Sequence, residues 1–150
     1  MKLYGDTSNG YEGEDGLRAL LKRVLEVYKV TPNTLSKISG IEEDVILGYL
    51  NGRNDFSELG NSHSKLNFDS LIFMLANGIQ MIDETERVKG VIDILNQHWG
   101  ISNETIALYA KLDTNDVQQF MKDPESISID KKYSLSVTSL FLHYLFKPTL

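Results

Sequence analysis

The sequence predicts an all-α protein in which two similar groups of helices are followed by an apolar C-terminal helix. Residues 31–52, TPNTLSKISGIEEDVILGYLNG, outline two short helices joined by a tight turn. On either side of this segment, apolar residues recur every three or four positions, which is typical of a helix with one buried face. The second half of the chain repeats this order of residue types 71 positions later. We expect about eight to ten helices, in halves that meet near residues 78–84.

The composition indicates a folded protein. The chain has 150 residues, of which 41% are hydrophobic and 24% charged, and a chain of this length can bury about 68–70% of its unfolded surface. The 15 basic and 21 acidic residues give a net charge of −6, which opposes contact with the phosphate backbone of DNA. Cysteine is absent, which excludes disulfides and favours a cytoplasmic location. We expect neither secretion nor membrane insertion, since the N-terminus lacks the apolar core of a signal peptide and no apolar run approaches the roughly 20 residues that span a bilayer.

The N-terminal segment, residues 1–14, is rich in Gly, Asp, Glu, Ser and Asn and shows no periodicity. It is predicted to be a flexible arm. A first helix is expected over about 15–29, with Glu14 and Asp15 favouring its N-terminus electrostatically. Its apolar positions are Leu17, Leu20, Leu21, Val24 and Tyr28.

Residues 31–52 predict a helix, a turn and a second helix. Thr31 suits an N-cap and Pro32 the first helical position, where a missing N–H costs nothing. Gly40 permits the backbone of the turn, and Asn51 with Gly52 ends the second helix. The apolar faces are expected at Leu35 and Ile38, then at Ile41, Val45, Ile46 and Tyr49.

A polar stretch, residues 53–64, is predicted to be an exposed loop. The next helix, up to Asn77, is marked by Leu66, Phe68, Leu71, Ile72 and Leu75. The predicted organisation is therefore an arm over 1–14, a first unit over 15–80 and a second unit over 81–150.

The first unit, at about 15–77, resembles the lambda-repressor-like helix-turn-helix family. The matching residues are Leu35, Ser36, Gly40, Ile41, Ile46, Asn51 and Gly52. The alternative is an ordinary helical hairpin with a glycine turn. The resemblance implies that the first helix of the pair begins with a residue that braces the DNA backbone, and that the N-terminal half of the second helix contacts base edges in the major groove.

Carried onto the first unit, the resemblance places Pro32, which has no donor, at the bracing position. The base-contacting positions there hold Glu42, Glu43, Asp44, Leu47 and Gly48, and the candidate binding residues are Glu42, Glu43, Asp44, Leu47 and Arg53. Three carboxylates are poorly suited to a groove lined by phosphates. They either stabilise the start of the helix or bind a basic protein.

A weaker second copy is predicted at about 86–146, with Lys111 where the first unit has Gly40. The candidate DNA-binding residues are Asn103, Lys111, Thr114, Asn115, Gln118, Gln119 and Lys122. Asn103 holds the bracing position, Asp113 shares the base-contacting positions with Thr114, Asn115 and the two glutamines, and the lysines flank them. Asn and Gln carry the donor–acceptor pair that matches adenine, and the lysines are placed to meet phosphates. Three acids, Asp116, Asp123 and Glu125, oppose them. A solvated polar helix face is the alternative interpretation.

The C-terminal helix, roughly 133–146, is apolar around much of its circumference and is predicted to be buried on all sides. Either it forms the core of the second unit or part of its surface pairs with a second copy to give a homodimer. The candidate self-association residues are Phe141, Leu142, Leu145 and Phe146.

The sequence predicts no catalytic, cofactor or metal site, and hence no enzyme. His63, His98 and His143 lie far apart and lack the i, i+4 spacing of metal ligands. Residues 6–10 resemble the start of a calcium-binding loop, but the pattern is incomplete. Gly10 lies one position before the place of the required glycine, and Leu17 occupies the place of the closing Glu.

Two functions are compatible with these patterns. The first is a DNA-binding transcriptional regulator of bacterial or phage type, with double-stranded DNA as its partner. The second is a non-enzymatic interaction module whose acidic recognition helix binds a basic protein. The resemblance to regulators favours the first, whereas the local charges favour the second.

Overall fold

A computed structural model describes residues 14–55 and 62–147, all of whose regular structure is helical, with no strand among them. The predicted all-α class is confirmed. The chain divides into two compact units, Met1–Met81 and Ile82–Leu150, and each unit is described by itself. The predicted arm lies outside the described residues, apart from Glu14, which begins the first helix.

Unit 1 comprises α1 (Glu14–Glu26), α2 (Pro32–Ser39), α3 (Glu43–Leu50) and α4 (Ser62–Phe73), followed by a π-helical segment (Met74–Gly78) and α5 (Ile79–Met81). Here α1 packs against α3, α4 and the π-helical segment, and α2 packs against α3. The buried apolar core is formed by Leu17, Leu21, Val24, Leu35, Ile41, Ile46, Tyr49, Phe68, Ile72 and Ala76.

The predicted caps of α2 are present. The Thr31 hydroxyl accepts the backbone N–H of Thr34 at 3.1 Å, Pro32 is the first helical residue, and Gly40 ends the helix with φ +74°. One face was assigned wrongly: Ile38 is 57% exposed, since only Leu35 of the predicted pair faces the core.

Two predicted boundaries in unit 1 were wrong. α1 ends at Glu26 rather than near 29, because Lys29 has φ +59° and the chain turns there, with the Val30 N–H donating to the carbonyl of Val24. The predicted loop over 53–64 is too long, because α4 begins at Ser62.

Unit 2 comprises α6 (Glu84–Gln97), α7 (Asn103–Ala110), α8 (Thr114–Lys122), a 3-10 turn (Pro124–Ser126) and α9 (Ile129–Phe146). α9 packs against α6, α7 and α8. The buried apolar core is formed by Ile92, Leu95, Ile106, Ala107, Val117, Phe120, Ile127, Leu135 and Leu142.

Unit 2 by itself buries only one side of α9, so the alternative in which the whole helix forms the core of unit 2 was wrong. Only Leu135, Ser139 and Leu142 are buried along it, while Phe141 is 59% exposed. Helices α6, α7 and α8 pack against the side of α9 that carries these buried residues, and the opposite side is apolar and exposed.

Helix bounds in the two units correspond at the offset of 71. α2 begins and ends 71 positions before α7, and α3 begins 71 positions before α8. The correspondence stops after these pairs, since α4 begins at Ser62 and α9 at Ile129, which is an offset of 67.

Candidate nucleic-acid interface

The turn between α7 and α8 keeps a left-handed backbone although it lacks glycine. Ser102 caps α7, its hydroxyl accepting the Thr105 N–H at 3.1 Å, and Lys111 ends α7 with φ +57° and ψ +43°. The Leu112 N–H donates to the carbonyl of Ala107 at 2.9 Å. This geometry leaves the Lys111 side chain exposed just before α8 begins.

A capping box fixes the start of α8. Asp113 is the N-cap and Asp116 the third helical residue, and the Asp113 N–H donates to Asp116 Oδ2 at 3.2 Å. Lys131 of α9 donates from Nζ to the other oxygen, Asp116 Oδ1, at 2.7 Å. Asp116 is therefore held from two sides and ties α8 to α9.

This ion pair shifts the pKa values of both Asp116 and Lys131. The hydrogen bond from Lys131 lowers the pKa of Asp116, against an opposing effect of desolvation. The same hydrogen bond raises the pKa of Lys131. The pair is therefore charged at neutral pH, and the Asp116 carboxylate is compensated within the protein.

A second ion pair partly compensates another acid near α8, although that acid stays exposed. Lys132 Nζ lies 2.7 Å from Glu125 Oε1. Of the three acids that the sequence sets against DNA, two are paired with lysines of α9. The third, Asp123, is exposed at the end of α8, where its carboxylate accepts the Glu125 N–H at 3.2 Å.

The outer face of α8 presents amides and a lysine. Val117 and Phe120 are buried in the core. The exposed residues of α8 are Asn115, Gln118, Gln119 and Lys122, with Thr114 half-buried at the start. The only acid between Thr114 and Lys122 is Asp116, which is buried. The exposed face of α8 over these residues therefore offers amide donors and acceptors without a carboxylate among them.

Asn103 begins α7 at the bracing position and is oriented by a neighbour. Asn96 Nδ2 donates to Asn103 Oδ1 at 3.1 Å and to the carbonyl of Ile101 at 2.6 Å. Because the Asn103 oxygen accepts this bond, its NH2 group is the part that can donate to a phosphate. Sequence reasoning did not single out Asn96.

The α3 helix of unit 1 presents a different surface. Glu42 and Asp44 are exposed at its start, and Glu43 accepts from Asn33 Nδ2 at 3.2 Å. Arg53 is exposed beyond the end of the helix and Leu47 is half-buried. The three predicted acids therefore do lie together at one helix end.

Gly48 cannot contact a partner, which corrects its placement among the binding positions of α3. It is buried, and a side chain at this position would collide with that of Asn54. Asn54 covers the helix here, donating to the carbonyl of Val45 at 3.4 Å. The corresponding residue in unit 2, Gln119, is exposed.

The candidate self-association residues do not share one environment. Leu142 is buried in the core of unit 2, so it cannot belong to a free surface. Phe141 and Leu145 are exposed. Phe146 lies against Trp99, with ring centroids 6.3 Å apart.

Over residues 14–55 and 62–147, no group of three His, Asp or Glu residues could hold a metal ion. Over the same ranges, no helix combines the length and the apolar character needed to cross a membrane.

Comparison with known proteins gave one finding. The model of a family described as a helix-turn-helix domain matches residues 12–149, and thus extends over both units. No curated protein and no solved structure matches the chain.

Proposed function

The chain belongs to this helix-turn-helix domain family, and from that premise we propose that it is a non-enzymatic transcriptional regulator, of bacterial or phage type, that binds double-stranded DNA through α8. The observation that supports α8 is its outer face, where Asn115, Gln118 and Gln119 are exposed and the helix's own acid, Asp116, is buried against Lys131. Between Thr114 and Lys122 the helix presents no exposed carboxylate to a major groove, although Asp113 before it and Asp123 after it are exposed.

The side chains on α8 suit adenine. The amide of Asn or Gln donates to one atom and accepts from the other, matching the N7 acceptor and the N6 donor that adenine shows in the major groove. Lys111 and Lys122 lie at opposite ends of the helix, where they can meet the phosphates that border the groove. Asn103 adds a donor at the start of α7.

We also propose that unit 2 is a second copy of a lambda-repressor-like unit. Thr31 and Ser102 cap their helices through the same hydrogen bond to a Thr three residues later. Gly40 and Lys111, again 71 positions apart, both adopt the left-handed conformation. On this proposal α8 retained a surface suited to DNA, whereas α3 acquired an acidic one.

We further propose a cytoplasmic location, which is supported by the absence of cysteine.

A second candidate function rests on α3. Glu42, Glu43 and Asp44 gather three carboxylates at one helix end, and Asn33 orients the middle one. This surface suits a partner that is rich in lysine and arginine. The candidate function is binding of a basic protein, with or without DNA held by unit 2.

The deciding experiment is a fluorescence-anisotropy titration of the full chain against mixed-sequence duplex DNA at low and moderate salt. We expect weak binding with a steep salt dependence. Gln118→Ala with Gln119→Ala should weaken it, whereas Gln80→Ala with Gln97→Ala, which are equally exposed glutamines elsewhere, should not. Binding that is undetectable at low salt, or unchanged by the α8 variant, contradicts the assignment.

A triple variant, Glu42→Gln, Glu43→Gln and Asp44→Asn, separates the two functions. If the acids only oppose DNA held by α8, nonspecific DNA affinity should rise because repulsion is weakened. If they bind a basic partner, the variant should lose binding to a lysine- and arginine-rich peptide that the native chain retains. Peptide binding by the native chain together with no DNA binding favours the interaction module.

A further inference from the structure

The exposed side of α9 carries a regular apolar seam. Tyr133, Val137, Leu140 and Tyr144 are between 50% and 73% exposed. Their spacing of four, three and four residues places them on one face of the helix, at successive d, a, d and a positions that fall in three consecutive heptads. This face is opposite the one that buries Leu135, Ser139 and Leu142 in unit 2.

The seam ends in opposite charges. Asp130, seven residues before Val137, and Lys147, seven residues after Leu140, continue the same heptad positions, and both are exposed. The seam therefore runs from a carboxylate, through four apolar side chains, to an ammonium group.

From this pattern we propose that the seam pairs with the same seam of a second copy of the chain, with the two α9 helices antiparallel. A two-fold axis midway between Val137 and Leu140 places Val137 opposite Leu140 of the partner subunit. Tyr133 then lies opposite Tyr144 of the partner subunit, and Asp130 opposite Lys147 of the partner subunit. Each pair joins an a position to a d position, as antiparallel packing requires.

The charges decide the direction. In a parallel pair, Asp130 would lie opposite Asp130 of the partner subunit, and two ammonium groups would meet at the other end. Like charges at these distances repel, whereas the antiparallel arrangement makes an ion pair at each end. A second copy is the occupant that satisfies both ends of the seam at once.

The surface beside the seam is also uncharged. Phe141 lies against Tyr144, with ring centroids 6.4 Å apart and the rings tilted by 21°, and Leu145 continues this side. An interface made by one helix from each copy is at the small end of specific interfaces. The dimer should therefore dissociate reversibly as the protein is diluted.

Sedimentation equilibrium of the full chain tests the surface. We expect a monomer–dimer equilibrium in the micromolar range, which Val137→Glu should abolish by burying two charges at the centre of the interface. Met81→Glu changes an exposed apolar residue of unit 1 and should leave the equilibrium as it is. Circular dichroism checks that both variants stay folded. A native chain that is monomeric at high micromolar concentration overturns the proposal.

Cysteine crosslinking tests whether the two α9 helices are antiparallel. Because the native chain has no cysteine, every crosslink must come from the introduced residues. Tyr133→Cys copies are mixed with Tyr144→Cys copies, and glutathione disulfide is added as the oxidant, which is reduced to glutathione as the new bond forms. Antiparallel pairing should link the two variants to each other. Self-linking should be weak, because identical positions are then about 16 Å apart along the helix. Crosslinks of each variant only to itself contradict the antiparallel arrangement.

Exchanging the charges at the two ends of the seam tests the proposed ion pairs independently, with the dimer dissociation constant as the measured quantity. Asp130→Lys should weaken the dimer by placing two ammonium groups at each end, and adding Lys147→Asp should restore it by re-forming both ion pairs in reverse. If the double variant remains as weak as the single one, the ends do not pair as proposed.

Discussion

At the scale of single residues, Asp116 shows how a side chain can change its role once its neighbours are known. By sequence it is one of three acids beside the proposed DNA-binding amides. In the fold it is buried and holds the start of α8 through Asp113 and Lys131. The carboxylate is therefore compensated within the protein and supports the start of α8.

Acid should destabilise unit 2 through Asp116. Its pKa is lowered from the ordinary value of 3.8, so its contribution to stability is present above that value and is lost as the pH falls through the lowered pKa. We expect the urea midpoint of the native chain to drop more steeply below pH 3.8 than that of Asp116→Asn. Asp123→Asn is the matched control, and identical pH profiles for the native chain and Asp116→Asn contradict this role.

Neighbouring residues of α9 should respond differently to truncation. Leu142 is buried, so Leu142→Ala should lower the free energy of unfolding by about 2–5 kcal/mol through lost burial and a residual cavity. Phe141 is exposed, so Phe141→Ala should leave the stability of the monomer nearly unchanged and weaken self-association. Urea titration below the dimerisation range measures the first effect. An equal loss of stability in both variants contradicts the observed burial.

At the scale of elements, the turn between α7 and α8 shows a conflict between local conformation and a proposed contact. Gly40 adopts φ +74° in the first turn at no steric cost, whereas Lys111 adopts φ +57° in the second. A side chain in the left-handed region costs roughly 1–2 kcal/mol. Lys111 therefore carries a local strain at a position where its ammonium group can reach a phosphate.

Replacing Lys111 with glycine should separate these two effects. Lys111→Gly should stabilise unit 2 by about 1 kcal/mol, since glycine adopts the left-handed conformation freely, and it should weaken DNA binding and reduce the salt slope by about 1. Gly40→Ala in the corresponding turn should lower stability instead. Urea titration and DNA anisotropy give the two readouts, and a destabilised Lys111→Gly variant contradicts the argument.

At the scale of the whole molecule, the chain has two separate apolar cores, one in each unit. Each core is assembled from helices of its own half of the sequence. We expect a fragment of residues 82–150 to fold by itself and to retain the salt-dependent DNA binding assigned to α8. Circular dichroism and anisotropy check this, with a fragment of residues 1–81 as the control that should not bind DNA. An unfolded 82–150 fragment would show that its core depends on unit 1.

Local signals account for the parts of the fold that were predicted well. Thr31, Pro32 and Gly40 act through bonds and backbone preferences within a few residues, so their roles can be inferred from the sequence around them. Helix ends that depend on less typical residues were harder to predict. Lys29, three residues after the end of α1, adopts a left-handed conformation that its residue type does not signal.

The sequence by itself determined the helical class, the caps and turn of α2 and α3, and the candidate polar face of α8, because each depends on residue type and on spacing along one helix. Only the tertiary structure decided which acids near α8 are paired with lysines and which side of α9 is exposed. Lys131 lies 15 residues from Asp116 and is brought to it by packing. The exposed side of α9 depends likewise on how many helices the rest of unit 2 supplies to cover it.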